Sequence, residues 1–183
     1  MGMSVEQVIS APSRLTNGPR ANSSASLKDE VEQFLYRQSE FLDTRNWEGW
    51  IDLFAKTGIY WIPAHPDDPS PEGRPCICCE DRYLMRTRMK RLRHPKAWSQ
   101  LPPHRTSHVV SNVTILDCGD ETGIVVAQSR FHMVELRWDK QRYMAGRYRH
   151  NLVRADDDFK INLQRVDLLN YDAPMDYVLQ SWV

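Results

Sequence analysis

Between Val109 and Leu163 the sequence reads as sheet almost without interruption, and the rest of the chain must pack against it. Val109 to Leu116 alternates Val109, Ser111, Val113 and Ile115 against Val110, Asn112, Thr114 and Leu116. Asp117 to Gly123 supplies a turn, and Ile124 to Arg137 follows, rich in Val, Phe and Met with no Gly or Pro. Trp138-Asp139-Lys140 reverses the chain into Gln141 to Arg154, and Ala155 to Asp158 reverses it again. Phe159, Ile161 and Leu163 then alternate with Lys160, Asn162 and Gln164, the pattern of a strand with one buried face. Strands of 12 to 14 residues exceed the usual length of about 5–6, so such a sheet is expected to curl.

What precedes the sheet is mostly helical. Leu27, Val31, Phe34, Leu35, Phe41 and Leu42 share one face over Leu27 to Asp43, with Ser26 and Asp29 spaced as a capping box. Asn46 caps a second short helix that presents Trp47, Trp50, Ile51 and Phe54, and Gly58 is its expected stop. Ile59 to Pro63 reads as a short strand, and Ala64 to Arg74 as a Pro- and Asp-rich loop. A charged helix is expected from Glu80 to Leu92, and a Pro-rich connection from Arg93 to Pro103. Helices collected on one side of a curled antiparallel sheet make an α+β domain, a cone with an interior. The organisation expected is therefore a flexible arm over residues 1–25 and one domain over 26–183.

Composition removes several function classes. Lys+Arg and Asp+Glu number 24 each, so no net field draws the chain to nucleic acid. The local run Arg82, Arg86, Arg88, Lys90, Arg91, Arg93 has little aromatic interleaving, and its cations complement the end of their own helix. No apolar stretch approaches the roughly 20 residues of a membrane span. The Ser- and Pro-rich start lacks the pattern of a secretory signal, so a cytoplasmic location is expected. There, Cys76, Cys78, Cys79 and Cys118 stay reduced.

Metal and catalytic motifs are correspondingly thin. Cys76-Ile77-Cys78-Cys79 has no second Cys or His pair at zinc spacing, and no Cys-x-His is matched by a downstream Cys-x-x-His for a Rieske cluster. His104 and His108 fall on one face of a strand, with no acidic neighbour in sequence to complete a metal set. His132 and His150 lie in neighbouring strands and are expected to point into the cone. There, with Tyr143, Tyr148, Asp52 or Asp81, they could form an acid–base pair, or simply be satisfied interior polar groups. The terminal Val178, Leu179, Trp182 and Val183 need cover, either from the chain's own sheet or from a neighbouring subunit.

Several segments taken together resemble the small (β) subunits of Rieske-type aromatic-ring-hydroxylating dioxygenases. They are Val31 to Glu40, Trp47-x-x-Trp50-x-x-Leu53-Phe54, Gly58 to Pro63, Glu80 to Leu92, Arg105 to Val113 and Gly146-Arg147-Tyr148. The resemblance spans Leu27 to the C-terminus, leaving the arm and the Cys-x-Cys-Cys loop outside it. It implies a cone-shaped fold of the NTF2-like (cystatin-like) class and no cofactor on this chain. It also implies a large (α) oxygenase subunit that carries the Rieske [2Fe–2S] cluster and the mononuclear Fe(II). An α3β3 assembly with the small subunits associated as a trimer follows, served by a reductase with or without a ferredoxin. The role implied is structural, without catalytic residues, and Arg82, Arg86, Arg105, Arg147 and Trp182 are the interface candidates. The competing readings are a free-standing lyase or isomerase of the same fold, or a small-molecule binder that uses the cone.

Overall fold

The computed structural model describes residues 20–174, 179–180 and 182–183. Helix α1 (Arg20–Asp43) leads into the short α2 (Trp47–Asp52), then strands β1 (Phe54–Pro63) and β2 (Cys76–Asp81). Helix α3 (Arg82–Leu92) follows, and β3 (Arg105–Asp117), β4 (Ile124–Arg137), β5 (Lys140–Ala155) and β6 (Asp158–Leu168) complete the chain. The six strands form one sheet in the order β2-β1-β6-β5-β4-β3. Every pairing is antiparallel except β1 with β6, which is parallel. The long strands and the helices that cover them match the expected NTF2-like α+β class.

Local chemistry explains the boundaries. Asn46 Oδ1 accepts from Gly49 N–H and starts α2, while Asp81 Oδ1 accepts from Leu84 N–H and starts α3. Two expectations need correction. Helix α1 begins at Arg20 rather than at Ser26, whose hydroxyl sits inside the helix facing Glu30. The helix therefore extends into the segment read as an arm, and residues 1–19 lie outside the described residues. Gly58 does not stop a helix. It lies within β1, where an added Cβ would come within 2.4 Å of the Ile161 carbonyl oxygen.

The core fills the space between the helices and the inner face of the sheet. Val31, Phe34 and Leu35 from α1 and Trp50 and Ile51 from α2 meet Phe131, Leu152, Ile161 and Val166, all essentially buried. Phe34 meets Phe159 edge-on at 5.9 Å, and Asp43 at the far end of α1 bonds to β3, so the helix crosses from β6 to β3. Arg37–Asp158 and Arg154–Glu30 ion pairs fasten it to the β5–β6 end. These pairs are exposed and contribute little each.

Gly146 marks the tightest crossing of the sheet. A Cβ there would sit 2.1 Å from Asp167 O and 2.9 Å from the Phe131 ring. Backbone on one side and a stacked ring on the other leave no room to relax. Gly146→Ala is expected to lower stability by about 1–3 kcal/mol in urea unfolding.

Candidate subunit interface

The described end of the chain returns to the core. Trp182 is 1% exposed, its indole tilted by 31° against Trp50 with centroids 4.5 Å apart and edge-on to Trp47. Trp182 Nε1–H donates to Glu80 Oε2 at 2.9 Å, and Val183 N–H donates to the Tyr60 hydroxyl at 3.1 Å. Of the two covers considered for the tail, the chain's own fold supplies this one. Trp182 therefore sits in the core, although it was expected at an interface. Val178 lies outside the described residues.

Around this anchor the α3 arginines divide their work. Arg88 bonds to Glu80, donates to Leu179 O, and lies over the Trp182 ring. Burial would lower the Arg88 pKa, but the Glu80 carboxylate outweighs it and holds the guanidinium charged. Arg82 and Arg86, one turn apart, both bond to Asp52 at 2.5 and 3.0 Å, joining α3 to α2. Arg82 also donates to Phe54 O and is the less exposed of the two. Arg82 thus braces the helical layer, and Arg86 keeps half its side chain in solvent.

A cavity of about 810 Å³ opens between β2, α3 and the returning tail, lined among others by Cys78, Cys79, Arg88, Arg91 and Leu179. The Cys-x-Cys-Cys segment was read as loop, but all of it lies in the edge strand β2. Burial, aided by the nearby Glu80 carboxylate, pushes the Cys78 thiol up to about 12. Cys78 is therefore a protonated structural thiol rather than a nucleophile.

The outer sheet face carries the other two candidates. Arg105 at the start of β3 and Arg147 on β5 are both exposed. Cross-strand registers place Val109 beside His132 and Ala145, and Ser107 beside Val134 and Tyr143. Val109 is 57% exposed, Tyr143 71%, and Trp138 at the β4–β5 tip 69%. Val109 and Tyr143 stand exposed on this face two strands apart, and exposed apolar side chains of this size favour a partner.

His132 belongs to this outer face and does not point into the cone. Phe131 and Met133, on either side of it, take the inner face. Tyr143 is likewise outside, Asp52 is occupied by Arg82 and Arg86, and Asp81 caps α3. His150 is inside, next to Tyr148 with ring centroids 5.6 Å apart. The two other histidines separate: His104 stacks on Trp47, while His108 Nδ1 lies 2.6 Å from Asp43 Oδ1. Sequence spacing gave no hint of the Asp43–His108 contact, which joins residues 65 apart.

The Ring hydroxylating beta subunit family matches residues 37–173, most of the described fold. This chain is a member of that family. It is 32% identical over 161 residues to the anthranilate 1,2-dioxygenase small subunit of Acinetobacter baylyi, covering 84% of this chain and 98% of that one. It is 27% identical over 158 residues to the toluate 1,2-dioxygenase subunit beta of Pseudomonas putida, covering 83% and 93%. Among solved structures, the β subunit of benzoate 1,2-dioxygenase from Burkholderia mallei superposes with a TM-score of 0.64 at 24% identity, covering 81% of this chain and 95% of that one.

Among the described residues, the donor set of this β subunit does not fit an iron–sulfur cluster or a mononuclear iron. Among the described residues no three His, Cys, Asp or Glu side chains converge on a point. Cys78 is buried beside Arg88, and His108 is taken by Asp43. No described helix is long and apolar enough to cross a membrane.

Proposed function

We propose that this β subunit acts as a scaffold in an aromatic-ring-hydroxylating dioxygenase, associating as a trimer and holding three large subunits in an α3β3 complex. The observation that carries this reading is the set of exposed apolar side chains on the outer sheet face, Val109 and Tyr143, with Trp138 at the β4–β5 tip and Arg105 and Arg147 exposed on the same strands. Burying those apolar side chains stabilises an assembly by about 25 cal/mol per Å² before ordering costs. Zero formal charge on the chain leaves little long-range repulsion between copies.

Iron, oxygen activation and the ring-binding pocket belong, on this reading, to the large subunit, with electrons supplied by a reductase directly or through a ferredoxin. The subunit contributes no catalytic residue to hydroxylation. The donor set described above supports that division.

The test is the mass of the complex. Val109→Glu with Tyr143→Asp puts two charges on this face without touching the core. Native mass spectrometry of the co-expressed subunits is expected to give a hexamer for the natural sequence and smaller species for the variant. A variant that assembles as fully as the natural sequence removes the sheet face as an interface.

A further inference from the structure

The outer face of the sheet carries an arginine cluster that folding alone does not explain. Arg130 on β4 stands directly opposite Arg147 on β5, and Arg149, two residues further along β5, stands opposite Arg165 on β6. Residues opposite one another, or two apart on one strand, share a face, and the Cβ atoms of an opposed pair lie about 5 Å apart. Arg130, Arg147 and Arg149 are all exposed, as is His132 beside them on β4. The acid facing Arg147 from β6 is Asp167, and Arg165 takes it at 2.7 Å. Arg165 itself is held over the Trp61 ring and by the Asp68 and Pro66 carbonyls. Like charges directly opposite destabilise an antiparallel pair, so the isolated subunit gains nothing from the cluster.

Because the formal charge of the chain is zero, the balancing acids lie elsewhere. The end of β3 and the turn after it hold Asp117, Asp120 and Glu121, with no Lys or Arg from 117 to 123. The β5–β6 turn adds Asp156 and Asp157. All five are exposed, while the neighbouring Asp158 is paired with Arg37. The two turns stand side by side at one end of the sheet, because Ile124, just after the first, pairs with Val153, just before the second.

Symmetry makes these two patches a pair. A trimer closed by a threefold axis cannot be built from self-complementary contacts, so each interface joins one patch of a subunit to a different patch of the next. The two must complement each other and lie on adjoining sides, since patches on opposite sides extend into a filament. A sheet face and the end of the same sheet are adjoining sides, and here one is basic and the other acidic. Face-to-face pairing of two copies would instead set the arginine clusters against each other.

We infer that the β3–β4 and β5–β6 turns of one copy dock on the Arg130, Arg147 and Arg149 cluster of the next, in a contact repeated around the trimer. This rests on the trimeric reading of the subunit and specifies which surfaces make the trimer. Guanidinium forks meeting carboxylates fix orientation and register as well as supplying attraction. Val109, opposite His132 on the same face, extends the contact with apolar area.

Charge reversal tests this on the co-expressed complex. Arg147→Glu with Arg149→Glu reverses the face, and Glu121→Arg with Asp157→Arg reverses one acid on each turn. Either pair alone is expected to lower the share of hexamer in native mass spectra at least tenfold. All four together are expected to restore it to within twofold of the natural sequence, because every reversed face then meets reversed turns. That restoration also shows that the substituted chain folds, and no merely local effect of the substitutions produces it. A hexamer indifferent to either pair overturns the proposal. So does a quadruple variant that assembles no better than the face variant, a result that assigns the arginines to an acidic surface of the large subunit. A natural sequence that gives no hexamer removes the trimeric reading itself, and this contact with it.

Discussion

Replacing Trp182 with alanine is expected to destabilise the chain by about 3–5 kcal/mol, the range for truncating a large core aromatic. The side chain is 1% exposed and touches both tryptophans of α2. Its removal leaves a cavity against Trp50 and deprives Glu80, itself 8% exposed, of the indole donor. Trp182→Phe separates the two contributions. It keeps much of the aromatic contact and loses the N–H bond, so it should fall between alanine and the natural sequence. Urea denaturation followed by tryptophan fluorescence reads both. A loss below about 1 kcal/mol for the alanine variant would mean that the tail docks without joining the cooperative core.

Acid should weaken the fold through His150 well before its carboxylates protonate. Burial lowers its pKa from 6.5 to about 3, so the folded protein keeps the ring neutral. The unfolded chain binds a proton near pH 6.5 that the folded chain refuses. Stability from this group is therefore complete above that value and declines as the pH falls toward 3. The slope approaches about 1.4 kcal/mol per pH unit, giving about 2 kcal/mol between pH 7.5 and 5. His104, also lowered by burial, adds in the same direction. Unfolding free energies of the natural chain and His150→Leu across that range isolate the effect. The variant's curve should be flatter by about 2 kcal/mol. Parallel curves would mean that the interior admits enough water to charge the ring.

Much of this architecture was legible in the residues. Strand β4 has the predicted limits Ile124–Arg137, because an unbroken apolar-rich run between two turns leaves no alternative. β2 escaped notice because an edge strand buried on one side only, after a Pro-rich loop, shows little periodicity. The facing of His132 was recoverable: Phe131 and Met133 claim the inner face, and alternation sends the residue between them outward. Gln164 was not. Alternation from Phe159 and Ile161 assigns it to solvent, and only the bulge in the β5–β6 pairing reverses that. Asp43 and His108 meet through the crossing of α1 over β3, a relation that no local spacing encodes.

The returning tail also sets a schedule for folding. Trp182 reaches back 102 residues to Glu80, and Val183 reaches back 123 to Tyr60. β1 likewise waits for β6 before it gains its second neighbour. During synthesis the tryptophans of α2 emerge early, yet the residue that seals them is made only after β6. Contacts of such long separation slow folding and leave apolar surface exposed in the interval. A ribosome stalled after β6 would thus hold a nascent chain with its sheet ready to pair but its aromatic centre uncapped, a natural target for chaperones.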